Sequence, residues 1–319
     1  MIIYADGHDI TSAAGNLTWK NSVAELATIM DFSIAKSAAQ HTNIYTPAEG
    51  SVISLVTNTE IFRGIVLTAD DGDIYVNSYT ACDFAFYLNE NSETYQFDKM
   101  PVNDLLRKVC RDFKIEIDSI CEIKHAVTKI YMDKAISEII DDVLEGASKH
   151  TGYAYNYDMT PKGLRVYRLG DYIAYPEFRL SANTRLLYSP ELRGSTSHSV
   201  SIEDMKNAVK VITGSETAYQ LRAVARNDVL INQYGLLQTV EKIEDKEIGN
   251  ADFIAKSKLK ELSVKKETHG FEMIEAIDSY TKAGYELTLS DGVFIIESTE
   301  HSIRNGMHFV NLDLRRVRR

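Results

Sequence analysis

The C-terminal stretch from Gly284 to Val317 most limits what this chain can become. Gly284-Tyr-Glu-Leu-Thr-Leu289 alternates apolar and polar residues, and Ser290-Asp291-Gly292 interrupts it with turn-favouring types. Val293-Phe294-Ile295-Ile296 follows, apolar on both faces of a strand, so that strand needs cover on both sides. After Arg304-Asn305-Gly306, the run from Met307 to Leu314 places His308, Val310, Leu312 and Leu314 on one face. Its other face begins apolar at Met307 and Phe309 and turns polar at Asn311 and Asp313. This is an antiparallel meander that requires the rest of a barrel or sandwich to close it. In this register Phe294, Ile296, Met307 and Phe309 lie opposite the core face and need cover from another part of the chain or from a neighbouring subunit.

The N-terminal part repeats this texture. Leu17-Thr-Trp19 and Leu26 to Ile34 mix β-branched and aromatic residues without a helical face. Gly50–Val56, Ile61–Leu67 and Asp73–Tyr79 follow at short spacing, with Asn58 and Asp70-Asp71-Gly72 marking turns, which predicts an antiparallel barrel or sandwich. From Tyr95 the character changes. Pro101 suits a first helical turn, and Val102, Leu105, Leu106, Val109, Cys110 and Phe113 form an apolar stripe at helical spacing. Lys114–Asp118 then alternates as a strand. A second helix over about 133–149 carries Ile136, Ile139, Ile140, Val143, Leu144 and Ala147, and Gly152 ends it. Tyr153, Tyr155 and Tyr157 share one face of the hairpin that follows; packing on the helix explains them better than stacking on a sugar or base. Ser181 to Ser201 has few apolar positions and reads as a linker or exposed loop, and beyond it strands resume around one helix over about 250–262.

Composition excludes several classes. With 319 residues, 44% hydrophobic, 25% charged and only 5 prolines, the chain is fully folded and sized for about two domains or one large β domain. A net charge of -11 opposes adhesion to nucleic acid or anionic membranes, and Arg315, Arg316, Arg318 and Arg319 are one local exception, read as a solvated end. Cys82, Cys110 and Cys121 lack CxxC spacing, so neither disulfides nor a zinc site is expected, and Cys110 reads as a small core residue. No apolar run reaches the ~20 residues of a membrane span, and no secretion signal opens the sequence.

No phosphate, dinucleotide or common metal motif occurs. Ser195-Thr-Ser-His198-Ser holds nucleophile and base types, but a triad is a matter of geometry, and a polar loop accounts for it. His301 and His308 could converge across a hairpin, yet a metal would need further ligands and no cysteine stands near; both are read as structural. Glu297 and Glu300 gain no force as a glycosidase pair without a cleft. Trp19 is read as core or rim packing. The expected sets of catalytic, cofactor-binding and metal residues are therefore empty, and no cofactor is implied.

Gly292–Ser298, His301, Gly306-Met307-His308 and Leu312-Asp313-Leu314 occur in an order that resembles the end of the baseplate hub proteins of contractile phage tails, of the XkdQ/YqbQ type. Upstream, Phe62–Val66, Ala81-Cys82-Asp83, Asn207 and Tyr234-Gly235 fit the same resemblance. It implies an α+β chain of two small antiparallel β-barrels of tail-tube type: 1–88, and 202–319 with one helix. An α/β insertion over 89–180 and a linker or exposed loop over 181–201 would separate them. The implied function is a structural baseplate hub of a phage, defective prophage or tail-like bacteriocin, joining tail tube to spike and adapting six-fold to three-fold symmetry. Its implied partners are copies of itself in a homotrimer, the tube, the spike and other baseplate proteins, without stable nucleic-acid binding or membrane insertion. The expected place is the central baseplate, after synthesis in the bacterial cytoplasm without a signal peptide. The alternatives are a tail-associated cell-wall hydrolase, which requires a cleft with converging carboxylates or a metal, and a carbohydrate-binding module using the tyrosines.

Overall fold

In the computed structural model, residues 1–36, 44–174, 196–214, 218–243, 245–275, 281–289 and 292–317 are described. The N-terminal part forms β1 (Ile2–Ala5), β2 (His8–Asp9), β3 (Ala14–Ser22), β4 (Glu25–Ala35), β5 (Val52–Val56), β6 (Glu60–Asp70) and β7 (Val76–Asp83). Period-two alternation drives them: on β6, Phe62, Gly64 and Val66 point inward while Arg63 points out. Their inner faces bury Ile3, Ile34, Ile53, Leu55, Phe32 and Trp19 in one cluster.

The middle region follows as α1 (Phe86–Glu90), β8 (Ser92–Pro101), α2 (Val102–Asp112), β9 (Ile117–Ile120), β10 (Ala126–Ala135), α3 (Ile136–Thr151), β11 (Tyr155–Thr160) and β12 (Gly163–Arg168). The helical stripes read from the sequence are the buried faces: Val102, Leu105, Leu106, Val109 and Cys110 on α2, and Ile136 through Ala147 on α3. Pro101 sits at the N-cap of α2, and Gly152 ends α3 in a left-handed conformation at φ 78° that glycine adopts at little cost. β8 pairs with β10, while β12 pairs antiparallel with β11 and parallel with β9. The helices and these strands share one core.

The remaining elements are β13 (Thr196–Ser201), β14 (Ala208–Gly214), β15 (Tyr219–Arg226), α4 (Asp228–Tyr234), β16 (Gln238–Lys242), α5 (Ala251–Leu262), β17 (Lys266–Glu275), β18 (Glu286–Leu289), β19 (Gly292–Arg304) and β20 (Met307–Arg316). Most of the expected linker, 181–201, lies outside the described residues, and its end, Thr196–Ser201, is β13.

Residues 1–196 with 270–319 make one compact unit, and 197–269 make a second. In the first, hydrogen-bonded neighbours run β2-β1-β5-β6-β7-β4-β3-β19-β20, with β18 on β19. The two ends of the chain thus meet where β19 pairs antiparallel with β3, His301 opposite Trp19. In the second, α5 packs Ala251 and Ala255 on Val209, Val211, Ala223 and Ala225 of the sheet β15-β14-β16. There β14 and β16 are parallel, which departs from the expected wholly antiparallel domain; α4 supplies part of the crossover that a parallel pair needs.

Strands account for 54% and helices for 20% of the structure, so the chain is mostly β, and no closed barrel is found among the described residues. A second correction concerns the C-terminal meander. Phe294 and Ile296 do not face away from the core; they are its centre, fully buried with Val310, Leu312 and Leu314. A register shift between Ile296 and Ser298 turns the strand, so one face cannot be read through it by simple alternation. Ile295 is buried as well, as a strand apolar on both faces requires.

Candidate functional site

Two buried polar clusters stand out in the first unit. At the β3–β19 seam, His301 and His308 converge across the β19–β20 hairpin, Nδ1 to Nε2 at 3.0 Å, and His301 Nε2 lies 3.0 Å from Thr299 Oγ1. The His301 ring stacks on Trp19 at 4.7 Å and 4°. One imidazole donates to the other, which requires the accepting ring to be neutral. Burial, and then the His308 ring, push His301 well below the ordinary imidazole range, while burial pushes His308 down to about 4. Among the described residues no third ligand type joins them within metal-binding reach. The pair is a stacked core element.

The second cluster lies where β11 and β12 of the middle region meet β3 and the segment 281–285. Asp158 is almost wholly buried and accepts from Arg165 Nε at 2.9 Å and from Lys282 Nζ at 2.9 Å. Burial would raise its carboxyl, but Lys282 and Arg165 outweigh that and hold it below the usual range. Lys282 also donates to the carbonyl of Met159, and Arg165 to Tyr285 Oη, while the guanidinium lies 4.3 Å from the Tyr172 ring. Asn21 Oδ1 accepts from the Ala283 N–H at 2.7 Å. Gly284 is required here: a Cβ would overlap Tyr167 Oη, and φ is +85°. Asp83 is buried on β7 and accepts the N–H groups of Thr28 and Ala85; burial dominates and raises it to about 6 despite the Lys282 charge.

A cleft of about 450 Å³ opens beside this knot, lined in part by Asn21, Leu26, Asp141, Tyr157, Asp158 and Lys282. Burial raises the Asp141 carboxyl, which accepts from Tyr157 Oη at 2.9 Å. Two carboxyls with opposite shifts in one cleft are the pattern of an acid–base pair. Here, however, both Asp158 oxygens are committed to cations, and its role is to tie strands together.

The other residues singled out in the sequence stay apart. Glu297 bonds Arg315 at 2.8 Å, and Glu300 is exposed with Asn311 at 3.5 Å, so neither lines the cleft. Tyr155 and Tyr157 pack partly on the middle core, and Tyr153 is exposed under Arg168. Burial pushes the thiols of Cys82 and Cys110 up to about 11, and Cys110 is a core residue. Ser195 lies outside the described residues, while His198 contacts Glu267 instead. Among the described residues no helix is long and apolar enough to cross a membrane. The Asp158–Lys282 knot was missed from sequence because its partners lie 120 or more positions apart where Lys282 and Tyr285 meet β11 and β12.

Comparison with known proteins places this architecture. A model of the YQBQ-like family matches residues 17–315. YqbQ of Bacillus subtilis strain 168, itself uncharacterised, is 26% identical over 282 residues, 85% of this chain and 82% of its own length. XkdQ, a protein of the phage-like element PBSX in the same organism, is 23% identical across the same shares. The solved 43 kDa tail protein of prophage MuSo2 from Shewanella oneidensis aligns over 99% of this chain and 98% of its own, with a TM-score of 0.71 at 11% identity. That likeness is one of fold, and it extends end to end.

Proposed function

We propose that this chain, which belongs to the YQBQ-like family, is a structural hub of a phage-tail-type baseplate and has no enzymatic role. The observation that carries the reading is the extent of the tail-protein fold, which runs through 99% of the chain and is not confined to one segment. The buried polar groups support it too, because the Asp158 knot and the histidine pair are spent on joining strands. Exposed apolar residues support a role in assembly. Ile74 and Tyr75, 77% and 74% exposed in the β6–β7 connection, and Met132 on β10, 73% exposed, are open to contact with a neighbour.

In the finer form of the proposal, the strands within 1–88 and within 202–319 supply two tube-like elements per chain, joined by the 89–180 insertion and the 181–201 link. Three chains then present six such elements to a tail tube and a three-fold face to a spike. Deleting the gene in its native host tests the role. Tubes and spikes should both be made yet remain unjoined, with complementation restoring particles. Complete particles that lack the protein would overturn the reading.

A further inference from the structure

In the second unit, residues of its first and last strands meet. His198 comes from β13, and Glu267 and His269 stand two apart on β17, hence on one face of that strand. His198 Nε2 lies 3.2 Å and His269 Nε2 3.3 Å from the same carboxylate oxygen, Oε1 of Glu267. The two rings lie 4.6 Å apart, tilted by 32°. One ligand atom from each of the three residues falls within 4.8 Å of the others.

We propose that His198, Glu267 and His269 form a binding site for one zinc-class divalent cation that clips the two ends of this unit together. Zinc bonds of ~2.0–2.1 Å in a tetrahedron separate neighbouring ligand atoms by roughly 3.3–3.4 Å. The two nitrogen-to-oxygen separations already match that edge, so little rearrangement is needed. Two imidazoles and one carboxylate are ligands for zinc and its first-row neighbours, whereas calcium and magnesium prefer all-oxygen shells. Three protein ligands leave a fourth position to water. Side-chain exposures of 53% for His198, 25% for Glu267 and 26% for His269 give an ion a way in and shelter the carboxylate. His198 and Glu267 are 69 positions apart, and a cross-link closing so long a loop restricts the unfolded chain strongly. The inference stands on this geometry alone and is independent of the baseplate reading.

The test uses the full chain, purified without a histidine tag and stripped with a chelator. Zinc added alone should bind at one ion per chain by calorimetry and raise the melting temperature, and cobalt(II) should develop ligand-field absorption displaced by zinc. His198→Gln and His269→Gln, each checked for native circular dichroism without metal, should weaken binding beyond the ~10–100-fold that loss of an outer-shell partner costs. His125→Gln, a change elsewhere in the chain, should leave it unchanged. Absence of zinc binding by the unaltered chain, or binding equally tight in both site variants, would overturn the proposal.

Discussion

Single residues in the first unit carry consequences out of proportion to their size. Gly64 faces the Cys82 carbonyl across the β6–β7 pair so closely that a Cβ would overlap it. Gly64→Ala should therefore destabilise the chain by ~1–3 kcal/mol, read as a lower denaturation midpoint, although φ there is ordinary. The histidine pair sets a pH dependence. A base whose folded pKa lies below its unfolded value stabilises above the unfolded pKa, and that stability is lost as pH falls toward the folded one. For His308 the window runs from 6.5 down to about 4 and is worth about 3 kcal/mol, with His301 acting in the same direction. Asp83 opposes them: its pKa, raised to about 6, makes the folded state take up a proton early, so stability rises as pH falls through 6. Two imidazoles outweigh one carboxyl, and melting curves should show net loss between pH 6.5 and 4. In His301→Gln/His308→Gln that loss should vanish or reverse; an unchanged profile would remove the pair from the account. The sequence showed both histidines and their possible meeting, but not the Trp19 stack, because nothing local says that β3 lies beside β19.

At the scale of elements, what was legible is what short-range periodicity controls. The stripes of α2 and α3 and the Gly152 stop are written within a few residues each, and they are placed as read. What was not legible depends on partners distant in sequence: the β3–β19 seam, the parallel β14–β16 pair, and the turn of face after Ile296. Two buried ties hold such distant elements. Asn207, fully buried in the second unit, donates from Nδ2 to the Gly235 carbonyl at 2.7 Å and accepts from the Leu237 N–H at 2.8 Å, which fixes the entry to β16. Asn207→Ala should cost ~1–3 kcal/mol by stranding both backbone groups, and hydrogen exchange should accelerate first at Leu237. Asp158→Ala leaves Arg165 and Lys282 buried without their carboxylate, and a loss of ~3–5 kcal/mol is expected in chemical denaturation. A loss below ~1 kcal/mol would mean that water already shares those cations.

For the whole molecule, the proposed role is assembly and not catalysis, a reading supported by the tail-protein fold and by the polar groups spent on internal ties. Purified protein should leave peptidoglycan intact in zymography beside a lysozyme control, and clearing lost on substituting Asp141 would contradict that. In the proposed hub, the acidic balance of -11 would suit a lumen that must not retain passing DNA. A strand edge such as β2 exposes backbone groups that a neighbouring subunit can cover, and closed rotational symmetry keeps such pairing finite. The most direct measurement is an electron cryomicroscopy reconstruction, without imposed symmetry, of the particle that contains this chain. Three copies are expected around the tail axis between tube and spike, each presenting two tube-like elements to the ring above. A single copy, a dimer or a true hexamer on the axis, or a position at the periphery, would contradict the proposed role.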